Sequence, residues 1–186
     1  MPPVLTFARA LDFAAQKHTD QRRKGSRAEP YLNHLAEVAR MLAEATDGED
    51  LALIVAGLLH DTVEDTATSR EELVQLFGTD VADLVMEVTD DKSLTKAERK
   101  QAQVTKTPHK TLRARMIKLA DKTSNLRALC TSPPRGWSVE RRLEYFDWAK
   151  AVVAGCRGIN AQLEQGFDRV WHQGMEELRG LGAGVA

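Results

Sequence analysis

Four polar side chains close the most apolar stretch of the chain. Residues 51–59 run Leu-Ala-Leu-Ile-Val-Ala-Gly-Leu-Leu, and His60, Asp61, Glu64 and Asp65 follow. The run is too short to cross a bilayer and reads as a buried helix. Its polar end therefore faces an interior cavity. Ionisable groups are costly to bury unless they are paired or bind a metal. On a continuous helix His60 lies above Glu64, and Asp61 lies above Asp65. One imidazole and three carboxylates placed there suit a metal centre with spare acid/base groups. The alternative is a helix C-terminus with solvated acids. It fits poorly, because carboxylates there oppose the helix dipole at roughly 0.3–1 kcal/mol each. The His-Asp pair alone is a weak signal.

Two further ionisable residues fall on apolar faces. His34 opens the pattern His34-Leu35, Val38-Ala39, Leu42, and Asp121 lies one turn after Ile117. Taken singly, each has a bland reading that fits better. His34 would be a core histidine with a satisfied ring, and Asp121 a capping or paired acid. Taken together, His34, His60, Asp61 and Asp121 supply two imidazoles and two carboxylates from three helices. That donor set suits Mn²⁺, Fe²⁺ or Zn²⁺, with positions left for water and a phosphate oxygen.

The elements that must position these residues are helical almost throughout. Helices are expected over 4–17, from an Asn33 cap to about Ala45, and from Asp50 through the polar cluster. Thr68-Ser69 caps a short helix ending at Phe77-Gly78, and residues 80–88 form another. Residues 96–105 are highly charged and expected to be exposed. Helices over 111–129, stopped by Pro133-Pro134, then 138–156 and 160–178 complete the chain. Residues 21–29 (QRRKGSRAE) form a flexible basic loop, with Arg22, Arg23, Lys24 and Arg27, that also suits a merely solvated surface. The tail from Gly180 is expected to fray. No strand run, repeat or interdomain linker is evident. The expectation is one all-α helical domain spanning the 186 residues, with its core over about 5–178.

Composition narrows the class of protein. Hydrophobic residues at 42% and charged residues at 28% suit a folded domain, and the net charge of −1 gives no field-level sign of a nucleic-acid or membrane partner. Cys130 and Cys156 are isolated, which favours small buried hydrophobes and a cytoplasmic setting over a disulfide framework. No basic-then-apolar leader opens the chain. Oligomeric state is not legible. His18, His109 and His172 fall on a surface face or in loops and receive no role. Trp137, Tyr145, Phe146 and Trp148 fit a helix-packing cluster.

Several separated motifs occur in register: the basic loop, Pro30-Tyr31-Leu32-Asn33-His34, the run from Leu58 to Thr66, and Lys118-Leu119-Ala120-Asp121-Lys122-Thr123-Ser124-Asn125. With the segments 88–96, 136–138 and 144–149, they make the chain resemble the HD-domain superfamily. Within it the chain is similar to the hydrolase domain of the RelA/SpoT alarmone enzymes, and more nearly to the free-standing small alarmone hydrolases of the metazoan type. The resemblance covers roughly residues 5–172.

The resemblance implies an HD-type helical bundle and a Mn²⁺-dependent hydrolase. Such a hydrolase would remove the 3′-pyrophosphate from guanosine tetra- or pentaphosphate. By match, the metal ligands are His34, His60, Asp61 and Asp121, and Glu64 and Asp65 orient or deprotonate the attacking water. Arg23 would stack on the purine and Lys24 would meet phosphate. Asn125 matches a ribose-side position, and Arg141 and Tyr145 match positions lining the pocket. Leu35 stands where many relatives have Pro, at what is expected to be the first helical position. Ala128 replaces a Thr common in the long bacterial enzymes. The alternatives are removal of the 2′-phosphate of NADPH, another HD-type nucleotide phosphohydrolase, and a silent nucleotide-binding module. The intact ionisable set argues against the last.

Overall fold

The computed structural model describes residues 2–183. The helices are α1 (Pro3–Lys17), α2 (Leu32–Ala45), α3 (Leu51–Leu59), α4 (Thr62–Asp65), α5 (Arg70–Phe77), α6 (Thr79–Val88), α7 (Lys96–Lys106), α8 (Leu112–Thr131), α9 (Val139–Ala154) and α10 (Ala161–Ala183). A 3-10 turn at Thr107–His109 joins α7 to α8. The described residues contain isolated β-bridges but no strand. The all-α expectation is met, and α7 buries none of its residues, as its charge predicts.

The apolar run of α3 is the centre of the bundle. Residues 53 to 59 of α3 are all buried. Asp50 starts the helix by accepting a 3.0 Å hydrogen bond from the Leu53 N–H. Helix α2 lies directly against it. A Cβ at Gly57 would collide with Leu42 of α2, so glycine there lets the two backbones approach. Helix α8 packs on α2 and α10, carrying Ile117, Leu119, Ala120 and Leu126 into the same core. The hydrophobic effect thus fixes α2, α3 and α8 against one another. These three helices bear the ionisable residues.

Four local expectations are corrected. Helix α2 begins at Leu32 with Tyr31 as its cap, so Asn33 lies inside the helix and is exposed. Leu35 is consequently in the helix body, fully buried, rather than at its first position. Helix α3 stops at Leu59, and His60 and Asp61 form a turn before α4. Successive helical side chains diverge by about 100°, so an unbroken helix would not aim both residues at one point. Helix α10 runs to Ala183 rather than Leu178, and the end of the expected frayed tail, 184–186, lies outside the described residues.

Candidate active site

His34, His60 and Asp121 converge: each offers a ligand atom, and these atoms lie within 4.8 Å of one another. The Asp61 Oδ2 joins them, 3.0 Å from His60 Nε2 and 3.6 Å from His34 Nε2. The Asp121 Oδ1 lies 3.4 Å from His34 Nε2 and 3.9 Å from His60 Nε2. Both histidines are buried.

The tautomers follow from what surrounds the rings. His60 Nδ1 lies 2.8 Å from the Gly57 carbonyl, which only accepts, so Nδ1 carries the proton. His34 Nδ1 lies 2.8 Å from Ser124 Oγ, and Ser124 donates its own hydrogen to Glu37 Oε2 at 2.6 Å. Ser124 therefore accepts from His34, and Nδ1 again carries the proton. On each ring Nε2 is then the atom left to offer a lone pair to a cation in the same small volume, and neither has a hydrogen-bond partner among the described residues. Buried polar atoms are almost always paired. Two lone pairs and two carboxylates aimed at one point fit a divalent cation, whose ligating histidines characteristically donate their other ring N–H outward.

The electrostatics point the same way. Burial favours a neutral His60, yet the adjacent Asp61 and Asp121 charges push its pKa up to about 9. Burial works against the Asp121 charge, but Lys122 at 2.8 Å and the two histidines hold its carboxyl far below the usual range. This concentration of negative charge attracts a cation.

Glu64 and Asp65 stand beside the cluster in different surroundings. Burial, with the Asp61 and Asp90 charges, raises the Glu64 pKa against the lowering effect of the Asp90 N–H at 3.1 Å. Asp65 is clamped on both oxygens: Lys92 reaches Oδ1 at 3.1 Å and the Gln21 amide donates to Oδ2 at 2.9 Å.

An open cleft of about 570 Å³ leads away from the cluster. Its wall includes all five residues the family resemblance assigns to substrate: Arg23, Lys24, Asn125, Arg141 and Tyr145. Tyr31 and Asp65 also line it, and Tyr31 Oη donates to Asp61 Oδ2 at 2.6 Å, joining cleft to cluster. Asn125 serves both regions, because its amide donates to Asp121 Oδ1 at 2.5 Å. Arg141 lies 4.4 Å over the Trp137 ring. Tyr145 sits between Trp137 and Trp148, at 5.9 and 5.1 Å, so the expected aromatic cluster is also a cleft wall. Phe146 alone of that group is fully buried in the core.

The basic loop is pinned, contrary to the expectation of flexibility. Its Arg23 N–H bonds to Glu29 O at 2.8 Å, Ser26 N–H to Pro133 O at 3.1 Å and Arg27 N–H to Ser132 Oγ at 3.0 Å. A Cβ at Gly25 would strike the Ser132 backbone, so glycine permits this close approach. Asp121, Asn125, Ala128 and Ser132 follow an i, i+4, i+7, i+11 spacing and share one face of α8 and its cap. That stripe runs from the candidate metal centre to the loop anchor.

Sequence reasoning missed several contributors. His18 is buried rather than on the surface, stacked on Tyr31 with ring centroids 5.3 Å apart. Gln21, Tyr31, Lys92, Lys122 and the Ser124–Glu37 pair also went unassigned. Their polar residue types carry no periodic signal, and apart from Lys122, which pairs with the adjacent Asp121, their partners are distant in sequence. His109 and His172 are exposed and outside the site.

Comparison with known proteins agrees with this geometry. The HD domain family model matches residues 10–145. The guanosine-3′,5′-bis(diphosphate) 3′-pyrophosphohydrolase of Danio rerio is 50% identical over 161 residues, covering 87% of this chain and 89% of that protein. The Homo sapiens protein of that name is 49% identical, covering 88% and 92% respectively. A solved structure described as a metazoan ortholog of SpoT that hydrolyzes ppGpp superposes with a TM-score of 0.88 at 47% identity, over 93% of this chain and 97% of that one. The crystal structure of lmo0812 from Listeria monocytogenes EGD-e gives a TM-score of 0.66 at 29% identity, covering 78% of this chain and 98% of that one. Motifs, converging side chains and matched relatives together place this chain in the HD domain family.

Proposed function

We propose that this protein hydrolyses the 3′-pyrophosphate of guanosine tetra- and pentaphosphate, releasing pyrophosphate and leaving GDP or GTP. The observation that carries the reading is the pair of buried histidine Nε2 atoms, with no hydrogen-bond partner among the described residues, facing Asp61 and Asp121 beside a cationic cleft. The relatives named for that reaction, at 50% and 49% identity, support it.

His34, His60, Asp61 and Asp121 would hold the ion, with Mn²⁺ as our assignment. Such an ion lowers the pKa of bound water and polarises a phosphoryl oxygen. The chain's own residues do the rest. Glu64, whose raised pKa brings it closer to neutrality, takes the proton of the attacking water. Asp65, held from both sides, orients that water. Lys24 meets phosphate as a point charge, and the Arg23 guanidinium covers the purine face. Asn125 turns toward the ribose, and Arg141 with Tyr145 closes the far wall. We assign a small nucleotide as the partner and the cytoplasm as the setting, supported by two free cysteines. No helix among the described residues is long and apolar enough to cross a membrane.

The test is product release from ppGpp by metal-stripped protein, with and without added Mn²⁺. Pyrophosphate released only with metal is expected. Full activity without metal would overturn the metal reading. A higher kcat/KM for NADPH would reassign the substrate within the same cleft, and nucleotide binding with no turnover would leave only a binding module.

A further inference from the structure

We infer that His18 is a positioning residue for Asp65, acting through the side chain of Gln21. The inference rests on the proposed role of Asp65 and extends it to a residue outside the cleft.

His18 closes α1 and is 3% exposed. Its Nδ1 lies 2.5 Å from Gln21 Oε1, and Gln21 Nε2 lies 2.9 Å from Asp65 Oδ2. The direction of this chain is set from its far end. An ionised carboxylate only accepts, so Gln21 must turn its NH₂ toward Asp65. Its carbonyl oxygen then faces His18, which must carry its proton on Nδ1. His18 thus prevents the Gln21 amide from flipping and offering an oxygen to the Asp65 carboxylate. The Gln21 backbone is fixed as well: its N–H bonds to His18 O and its carbonyl accepts from the Tyr31 N–H, both at 3.0 Å.

A packing role alone does not account for a histidine here. Its Nε2 is buried and has no hydrogen-bond partner among the described residues. Phenylalanine would fill the ring's place against Tyr31, at a centroid distance of 5.3 Å and an interplanar angle of 24°, without burying that nitrogen. What phenylalanine lacks is the Nδ1–H that locks Gln21.

The substitution His18→Phe keeps the ring and removes the lock. We expect kcat on ppGpp with Mn²⁺ to fall by roughly 10- to 100-fold, the range for partners that orient a site from behind. KM, bound metal and Tm should hold, with Tm unchanged or raised. His18→Asn, which restores an N–H near the Nδ1 position, should recover part of kcat despite losing the stack. Gln21→Ala should show the same kcat loss, and the double variant should be no worse than Gln21→Ala alone. A kcat within about 2-fold of wild type in folded His18→Phe, or additive losses in the double variant, would overturn the inference. If His18→Phe does not fold, the half-buried Gln21 decides: unchanged kcat in Gln21→Ala overturns it equally. Asp65→Asn separates the two levels. Full activity there removes the role of Asp65 itself, whereas a damaged Asp65→Asn beside an intact His18→Phe removes only the role of His18.

Discussion

Replacing Ser124 by alanine would test the tautomer argument at the candidate metal centre. Ser124 accepts from His34 Nδ1 at 2.8 Å and donates to Glu37 Oε2 at 2.6 Å. Glu37 retains Arg127 at 2.7 Å and is partly exposed, so it loses little. His34 is 2% exposed, and its Nδ1–H loses its partner. Without metal the ring has an escape: the proton moves to Nε2, which then faces Asp121 Oδ1 at 3.4 Å. With metal bound, Nε2 must present its lone pair, and Nδ1–H stays buried and unpaired. That penalty is about 1–3 kcal/mol and arises only in the metal-bound state. It corresponds to roughly 5- to 150-fold weaker metal binding, since 1.4 kcal/mol is a factor of ten. The assay is Mn²⁺ titration of wild-type and Ser124→Ala protein against a competing chelator, alongside denaturant unfolding with and without metal. The metal-free proteins should differ less in stability than the metal-saturated ones. Thr123→Ala is the control, because that buried hydroxyl bonds within α8, to Leu119 O at 2.8 Å. Metal affinity within about 2-fold of wild type in folded Ser124→Ala would refute the reasoning.

Asp121→Ala should lose bound metal and ppGpp hydrolysis together, and full occupancy by elemental analysis would remove Asp121 from the ligand set. Glu64→Gln should keep metal and nucleotide binding while kcat drops by roughly 10²- to 10⁴-fold, the scale of a general base; a change confined to KM contradicts that role. Lys24→Ala should weaken binding of every polyphosphorylated nucleotide and flatten its salt dependence, whereas Arg23→Ala should reduce purine-over-pyrimidine preference. Equal effects on both kinds of nucleotide would reduce the loop to diffuse charge. Burial opposes the Glu37 charge, but the Ser124 hydroxyl and Arg127 outweigh it and lower its pKa. The resulting stability is present above the unfolded value of about 4.3 and is lost as pH falls through the folded one. The stability gap between wild type and Glu37→Gln should therefore be full near pH 7 and close in acid, as read by denaturant unfolding across pH; a gap that widens in acid would reverse the sign.

The sequence made the helical class legible because the apolar periodicity of α2, α3 and α8 is strong and its ionisable exceptions stand out. His34, His60, Asp61 and Asp121 could be picked out because each interrupts an apolar face. The break after Leu59 was not legible: residues 60–65 are compatible with a helix by propensity, and the requirement that two adjacent side chains share one target is tertiary. The pinning of the basic loop was hidden for a related reason. Gly25 and Ser132 are ordinary residues in sequence, and their meaning lies in the contact between them. Ser124, Glu37 and Gln21 act by holding other side chains, and such roles leave no pattern along the chain. His18 escaped because a polar residue just past a helix end suits the surface, whereas the ring folds under Tyr31.

The stripe on α8 makes that helix a ruler. Asp121 and Ser132 are eleven residues apart, about 16 Å at 1.5 Å per residue. One inserted or deleted residue between them would swing everything beyond it by about 100°, carrying Ala128 or the loop anchor out of line with Asp121. On the proposed function, the separation between the bond cut and the base held would therefore change only in steps of a turn, with both partners of α8 refitted. On the same proposal, substitution at Ala128, Arg23 or Tyr145 would alter what the far end holds, one residue at a time. The reach itself is fixed by helical pitch, so descendants of this chain would diversify more readily in the ring they hold than in the length of the molecule they cut.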